Sequence, residues 1–305
     1  MPTLRDKTLF ITGASRGIGL AIAVRAAREG ANVAIAAKTG EPHRHLPGTI
    51  YTAAKAVEEA GGRALPLLTD VRDEAAVAEA VARTVETFGG IDVCVNNASA
   101  IDQSNTLQTE MKRFDLVHDV VARGSFLVSK LCIPHLMKAE NPHVLMLSPP
   151  PVIDKAKLAG SLHNTLAKFY ASLCVVGMAE EFREAGIAFN ALRPRTWIAT
   201  SAIRFRRGEA AMGHCRKPEI MADAACEIFR RPSREYTGNF VMDDEVLYEA
   251  GERDFEKYRV DDPSQPLYMS AMSPGEVLPD HVRGVVVAPV GMLPAGPIVV
   301  AGASA

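Results

Sequence analysis

The sequence predicts an α/β protein built on a doubly wound parallel sheet with helices on both faces. Apolar runs of strand length alternate with helix-length amphipathic segments over roughly the first 245 residues. Those runs are apolar on both faces, as strands covered from two sides must be. A glycine-rich turn, TGASRGIG at Thr12–Gly19, joins the first run to the first helical segment.

Taken in order, TLFIT (Thr8–Thr12) reads as a buried strand, followed by the glycine turn and the helix IGLAIAVRAAREG. NVAIAA (Asn32–Ala37) is the second strand, and a polar, proline-bearing loop leads to a helix over about Thr49–Ala60. ALPLLTDV, a helix over Asp73–Phe88 and IDVCVNNAS continue the alternation. One long helical region covers about Met111–Lys138, and HVLMLS is a strand ending in three prolines. A helix holding Lys168 runs to about Ala185, IAFNAL is the sixth strand and KPEIMADAACEIFRR a helix. NFVMDDEVL reads as a last strand and its turn. There is no internal repeat. Residues 1–260 form one expected dinucleotide-binding domain, and 261–305 a Pro/Gly-rich tail without periodicity.

At 305 residues and 48% hydrophobic, the chain has enough apolar residues for a large core. A formal net charge of −2 argues against a polyanion-binding surface, so no nucleic-acid partner is expected. The five cysteines (Cys94, Cys132, Cys174, Cys215, Cys226) lack metal-ligand spacing. Their odd count, with no secretory signal, points to free thiols and a cytoplasmic location. The apolar stretch GVVVAPVGMLPAGPIVVAG holds three prolines, so no membrane-spanning helix is expected there.

In the glycine turn, Gly13 permits the tight bend and Gly17 lets backbone approach a pyrophosphate. Gly19 lets helix and strand pack closely. The helix start offers free N–H groups and a positive dipole end to phosphates. Strand three ends in Asp70-Val71, where a carboxylate can accept from an adenine amino group. Strand four ends in Asn96-Asn97-Ala98, at the edge where such sheets bind nucleotides. Strand two ends in Lys38 rather than a carboxylate, and Arg16 lies in the glycine turn. Two cations facing a 2′-phosphate favour NADP(H) over NAD(H).

Together TGASRGIG, the NNA of strand four and Lys168 resemble the short-chain dehydrogenase/reductase family over about residues 5–245. AAKTGEPHRHLPGTIYTAA, GMAEEF and CRKPEIMADAA are similar to its hydroxysteroid dehydrogenase-like branch. That branch can carry a sterol-carrier domain, for which the roughly 45 residues of tail are too short. The resemblance implies a Rossmann-type sheet of about seven strands, a small-molecule substrate, and a homodimer or homotetramer built on two long helices. The cofactor contacts expected with it are Gly13, Ser15, Arg16, Gly17, Ile18, Gly19, Lys38, Asp70, Val71, Asn97, Ala98, Lys168, Pro194 and Ile198.

The family's chemistry uses an asparagine, a serine, a tyrosine and a lysine. Lys168 matches the lysine, and Ser148 in LSPPP is the best match for the serine. Asn164 stands at the tyrosine position, four residues before Lys168, and Val121 at the position of the relay asparagine. An amide has donors and an acceptor but no proton that titrates at accessible pH. Losing a positioned general acid costs about 10²–10⁴ in rate. His163 and Tyr170 are the nearby replacement candidates, although helical geometry turns His163 about 100° from Asn164. His43 and His45 form an HxH without a carboxylate or cysteine partner, so no metal is expected.

Arg193, Arg195, Arg204, Arg206, Arg207 and Arg216 crowd the segment after strand six, where the family places its substrate lid. They suit an anionic or acyl substrate, a partner's acidic surface or plain solvation. Pro194-Arg195 replaces the family's proline-glycine there. The leading expectation is an NADP(H)-dependent oxidoreductase acting on a carbonyl, alcohol or enoyl group, with weak or atypical activity. The alternatives are a catalytically degenerate NADP-binding regulatory or structural protein and an acyl-binding module.

Overall fold

The computed structural model describes residues 3–43, 46–261, 264–270, 278–282 and 284–288, and all side chains among them except those at 156 and 157. Strands β1 (Thr8–Thr12), β2 (Asn32–Ala37) and β3 (Arg63–Leu68) alternate with helices α1 (Gly17–Ala27), α2 (Ile50–Glu59) and α3 (Glu74–Phe88). The helix starts are set locally. Thr49 and Thr52 form a reciprocal capping box on α2, and Asp73 accepts from the amides of Ala75 and Ala76 on α3. Arg16 makes no side-chain cap on α1, so the first amides of that helix are left for another partner.

After β4 (Val93–Asn96) come α4 (Met111–Val117) and α5 (Gly124–Leu136), then β5 (His143–Met146), α6 (Lys155–Gly160) and α7 (Leu162–Glu181). The chain continues through β6 (Ala188–Arg193), α8 (Ser201–Arg207), α9 (Glu219–Arg230), β7 (Phe240–Met242) and α10 (Asp243–Glu249). All seven strands are parallel, in the order β3-β2-β1-β4-β5-β6-β7. The order reverses between β1 and β4, which places a ligand crevice at their carboxyl ends. One apolar layer joins α1, α2 and α9 to the sheet, and a second joins α3, α5 and α7 to its other face.

Three local readings need correction. The long helical region at 111–138 is broken by a π turn at His118–Arg123, an insertion that periodicity does not reveal. Asp243, Asp244 and Glu245, read as a turn, open helix α10, where acidic groups favour the helix's positive end. The helix carrying Lys168 ends at Glu181 rather than near Ala185.

Beyond 260, β8 (Leu267–Tyr268) pairs with β9 (Val285–Val286). Tyr268 packs edge-on against Trp197 with ring centroids 5.3 Å apart and stacks on His214 at 4.0 Å. No helix among the described residues is long and apolar enough to cross a membrane. His45 and most of the apolar C-terminal stretch lie outside the described residues.

Candidate active site

The glycine turn is tied to the end of β4. Asn97 donates its side-chain amide to the carbonyls of Thr12 (2.8 Å) and Gly13 (3.1 Å). The Thr12 hydroxyl accepts from the amides of Asn97 and Ala98, each at 3.0 Å. The fit leaves no room for side chains. At Gly13, where φ is +65°, a Cβ would lie 2.9 Å from Ala98 Cα, and at Gly19 it would meet Asn97 Nδ2 at 2.5 Å. Gly17, at φ +60°, faces open space up to Thr200, whose Cγ2 would be 3.4 Å from a Cβ. Beside it a cavity of about 450 Å³ opens between Ser15–Gly17, Pro47-Gly48 and Thr200. A bare helix start, a glycine-lined turn and an adjoining cavity together fit a pyrophosphate.

The expected nucleotide contacts diverge. Ser15 is buried, while Ile18 is part-buried at the second position of α1. Arg16 turns onto the loop after β2, donating to Pro47 O (2.8 Å) and Gly48 O (2.9 Å). Lys38 is exposed directly after β2. Asp70 is gripped by Arg72, with Nη2 at 2.6 Å from its carboxylate, which holds the acid below its usual range. Buried Val71 packs in the second apolar layer. Pro194 and Ile198 flank a backbone bridge from Thr196 to Met269.

Helix α7 is pinned to the strand-five exit. Lys168 Nζ donates to Leu147 O at 2.9 Å, and Ser172 Oγ donates to Pro149 O at 2.6 Å. Between those anchors lies Ser148, buried, with its hydroxyl unpaired; one helical turn before Lys168, the Asn164 Oδ1 is likewise buried and unpaired. Burial lowers the Lys168 ammonium to about 8. Lys168 thus has an internal acceptor, while Ser148 Oγ and Asn164 Oδ1 have none, leaving a hydroxyl that can donate and an amide oxygen that can only accept for a ligand to meet.

Of the two replacement candidates, His163 has its Nε2 3.5 Å from Asp102 Oδ1 and its ring tilted against Phe114, while Tyr170 is 45% exposed on α7. Val121 sits in the π turn, buried in the apolar layer with Ala167 and Ala171. His43 is exposed, and no metal-holding group of three or more His, Cys, Asp or Glu occurs among the described residues.

Two features escape sequence reading. Arg195 is turned inward at 2% exposure, its Nε 2.6 Å from Asp244 Oδ2 and its Nη2 2.6 Å from Glu245 Oε1. Gln103, in the loop after β4, accepts from both Arg206 and Arg207 and so ties α8 to that loop. The replaced glycine at 195 is a signal for the first; nothing local marks the second.

A parallel sheet with a glycine cradle at its switch point and a lysine–serine pair beside it defines a nucleotide-dependent oxidoreductase fold. Residues 7–207 match the short chain dehydrogenase family, and this chain belongs to it. It is 55% identical over 260 residues to hydroxysteroid dehydrogenase-like protein 2 of Danio rerio, covering 85% of this chain and 62% of that protein. The chain thus spans less than two thirds of that curated relative. A crystal structure of a candidate dehydrogenase from Xanthomonas campestris is 56% identical, with a TM-score of 0.83 over 85% of this chain and 95% of that one. A short chain dehydrogenase from Mycobacterium thermoresistibile is 53% identical, with a TM-score of 0.80 over 84% and 91%. The family binds NAD(P) and small-molecule substrates.

Proposed function

We propose that this chain is an NADP(H)-dependent short-chain oxidoreductase of carbonyl/alcohol or enoyl substrates, in which Asn164 stands in place of the tyrosine acid. The observation that carries this reading is the pair of unpaired buried atoms, Ser148 Oγ and Asn164 Oδ1, beside a desolvated lysine. When bound, the cofactor supplies or accepts the hydride. Its pyrophosphate would lie on the Ser15–Gly19 turn, its ribose near Lys168 and its 2′-phosphate near Lys38.

Ser148 donates its hydroxyl hydrogen to the substrate oxygen; Asn164 would meet a carbonyl oxygen with its side-chain N–H and an alcohol O–H with the unpaired Oδ1. Asn164 cannot release a proton. Lys168 is the titratable group retained at this centre, so it holds the proton that the substrate oxygen takes up in reduction and that solvent then replaces. Val121 offers no hydrogen bond to a relay water, which slows that replacement. A catalytically silent NADP-binding role is the second reading, favoured by the same loss of acid.

Phe126 on α5 and Leu166, Tyr170, Leu173 and Val176 on α7 are exposed apolar side chains at helical spacing, which supports a homo-oligomer through these helices. The retained free cysteines support a reducing compartment such as the cytoplasm.

Cofactor choice is tested by fluorescence titration with NADPH and NADH. NADPH should bind more tightly, and Lys38→Glu should reverse the order by weakening NADPH at least about tenfold, which is about 1.4 kcal/mol. Equal affinities in the parent would remove the NADP assignment, and absence of binding to either would remove the oxidoreductase reading.

A further inference from the structure

The lid arginines divide by partner. Arg195 and Arg216 face Asp244, and Arg204 faces Glu209 at 2.8 Å. Arg206 and Arg207 have no carboxylate partner among the described residues; both donate to the single neutral oxygen Oε1 of Gln103, Arg207 at 3.1 Å. Arg207 Nε is buried without any hydrogen bond, and its guanidinium lies 5.5 Å from the Trp197 ring centroid. Two adjacent, partly desolvated cations sharing one amide oxygen repel each other. Burial and the neighbouring Arg207 charge lower Arg206 to about 10. An anion displacing Gln103 would accept from both guanidinium forks, the geometry in which arginine binds carboxylate and phosphate best.

Around the same sheet edge the loops leave large apolar side chains in solvent. Leu107 after β4 is 80% exposed, Ile153 after β5 is 75% exposed and Phe205 on the lid is 81% exposed. We infer that Arg206 and Arg207 form an anion subsite at the mouth of the cleft, which anchors the charged end of an amphiphilic substrate whose apolar body lies against this rim. This rests on the oxidoreductase reading of the cleft, and it adds the class of substrate: an acyl or alkyl chain bearing a carboxylate or phosphate.

Trp197 is the sole tryptophan, so its emission reports on Arg207 directly. Titrating the protein with octanoate, octyl phosphate and octanol should give a saturable emission change with one or both anions, at concentrations where octanol gives none. The stronger anion identifies the headgroup. The double variant Arg206→Gln/Arg207→Gln should weaken that response at least tenfold while NADPH affinity stays at the parent value. Octanol matching the anions in the parent protein, which needs no variant to fold, would overturn the subsite. So would an unchanged response in a double variant that still binds NADPH. Anion binding with no NADPH binding in the parent would instead overturn the oxidoreductase reading alone.

Discussion

Lys168 sets the expected pH dependence of the site. Its ammonium is lowered to about 8 because the side chain is desolvated and meets only the Leu147 carbonyl. In the proposed mechanism reduction consumes a proton held by Lys168, so the form it requires is protonated Lys168, abundant below pH 8 and depleted above it. The rate of NADPH oxidation with a carbonyl substrate should therefore fall as pH rises through about 8, and alcohol oxidation should rise over the same interval. Lys168→Met should abolish that inflection, as steady-state pH profiles would reveal. Lys168, Ser148 and Asn164 are singled out by the family resemblance, and in the structure Ser148 lies on the strand-five exit to which Lys168, one helical turn after Asn164, is hydrogen-bonded through Leu147. The engagement of Arg16 with Pro47 and Gly48 was not legible in sequence, since a guanidinium on a long side chain chooses among acceptors that only the folded loop supplies.

Strands and their connecting helices were readable because a buried parallel strand is apolar on both faces and an amphipathic helix is not. The π turn at His118–Arg123 was hidden, since one extra residue per turn leaves composition unchanged. Helix α10 was hidden behind three acids, a pattern that serves a turn as well as a helix start. At this scale Asn97 does more than mark a strand end: its amide satisfies two carbonyls of the glycine turn and holds β4 to β1. Asn97→Ala leaves those acceptors unpaired, with an expected loss of about 1–3 kcal/mol. Chemical denaturation would measure it, and NADPH affinity should fall in the same variant because the cradle loosens.

Across the whole molecule, Arg195, Arg216, Asp243 and Asp244 form a buried cluster between the segment after β6 and α10. Burial and the neighbouring Asp244 push the Asp243 carboxyl up to about 7. The ion pairs of Arg195 with Asp244 and Glu245 join the segment after β6 to α10, while Ser270 donates its amide to the Arg195 carbonyl and brings the chain beyond 260 onto the same residue. This assembly was illegible in sequence because its partners come from separate segments, Arg195 and Asp244 lying 49 residues apart and Arg216 and Asp244 28 apart, and none follows a periodic pattern. The sheet beneath it was legible because each strand announces itself locally. The proposed function rests on a cleft that holds a lysine, a serine and, at the position where the family resemblance expects a tyrosine, an amide. The direct measurement is turnover of Asn164→Tyr with NADPH and a carbonyl panel, beside the parent and with cofactor affinity checked in both. The account expects the tyrosine to raise the rate on the order of 10²-fold at unchanged NADPH affinity; an unchanged rate in a variant that binds NADPH normally would contradict it.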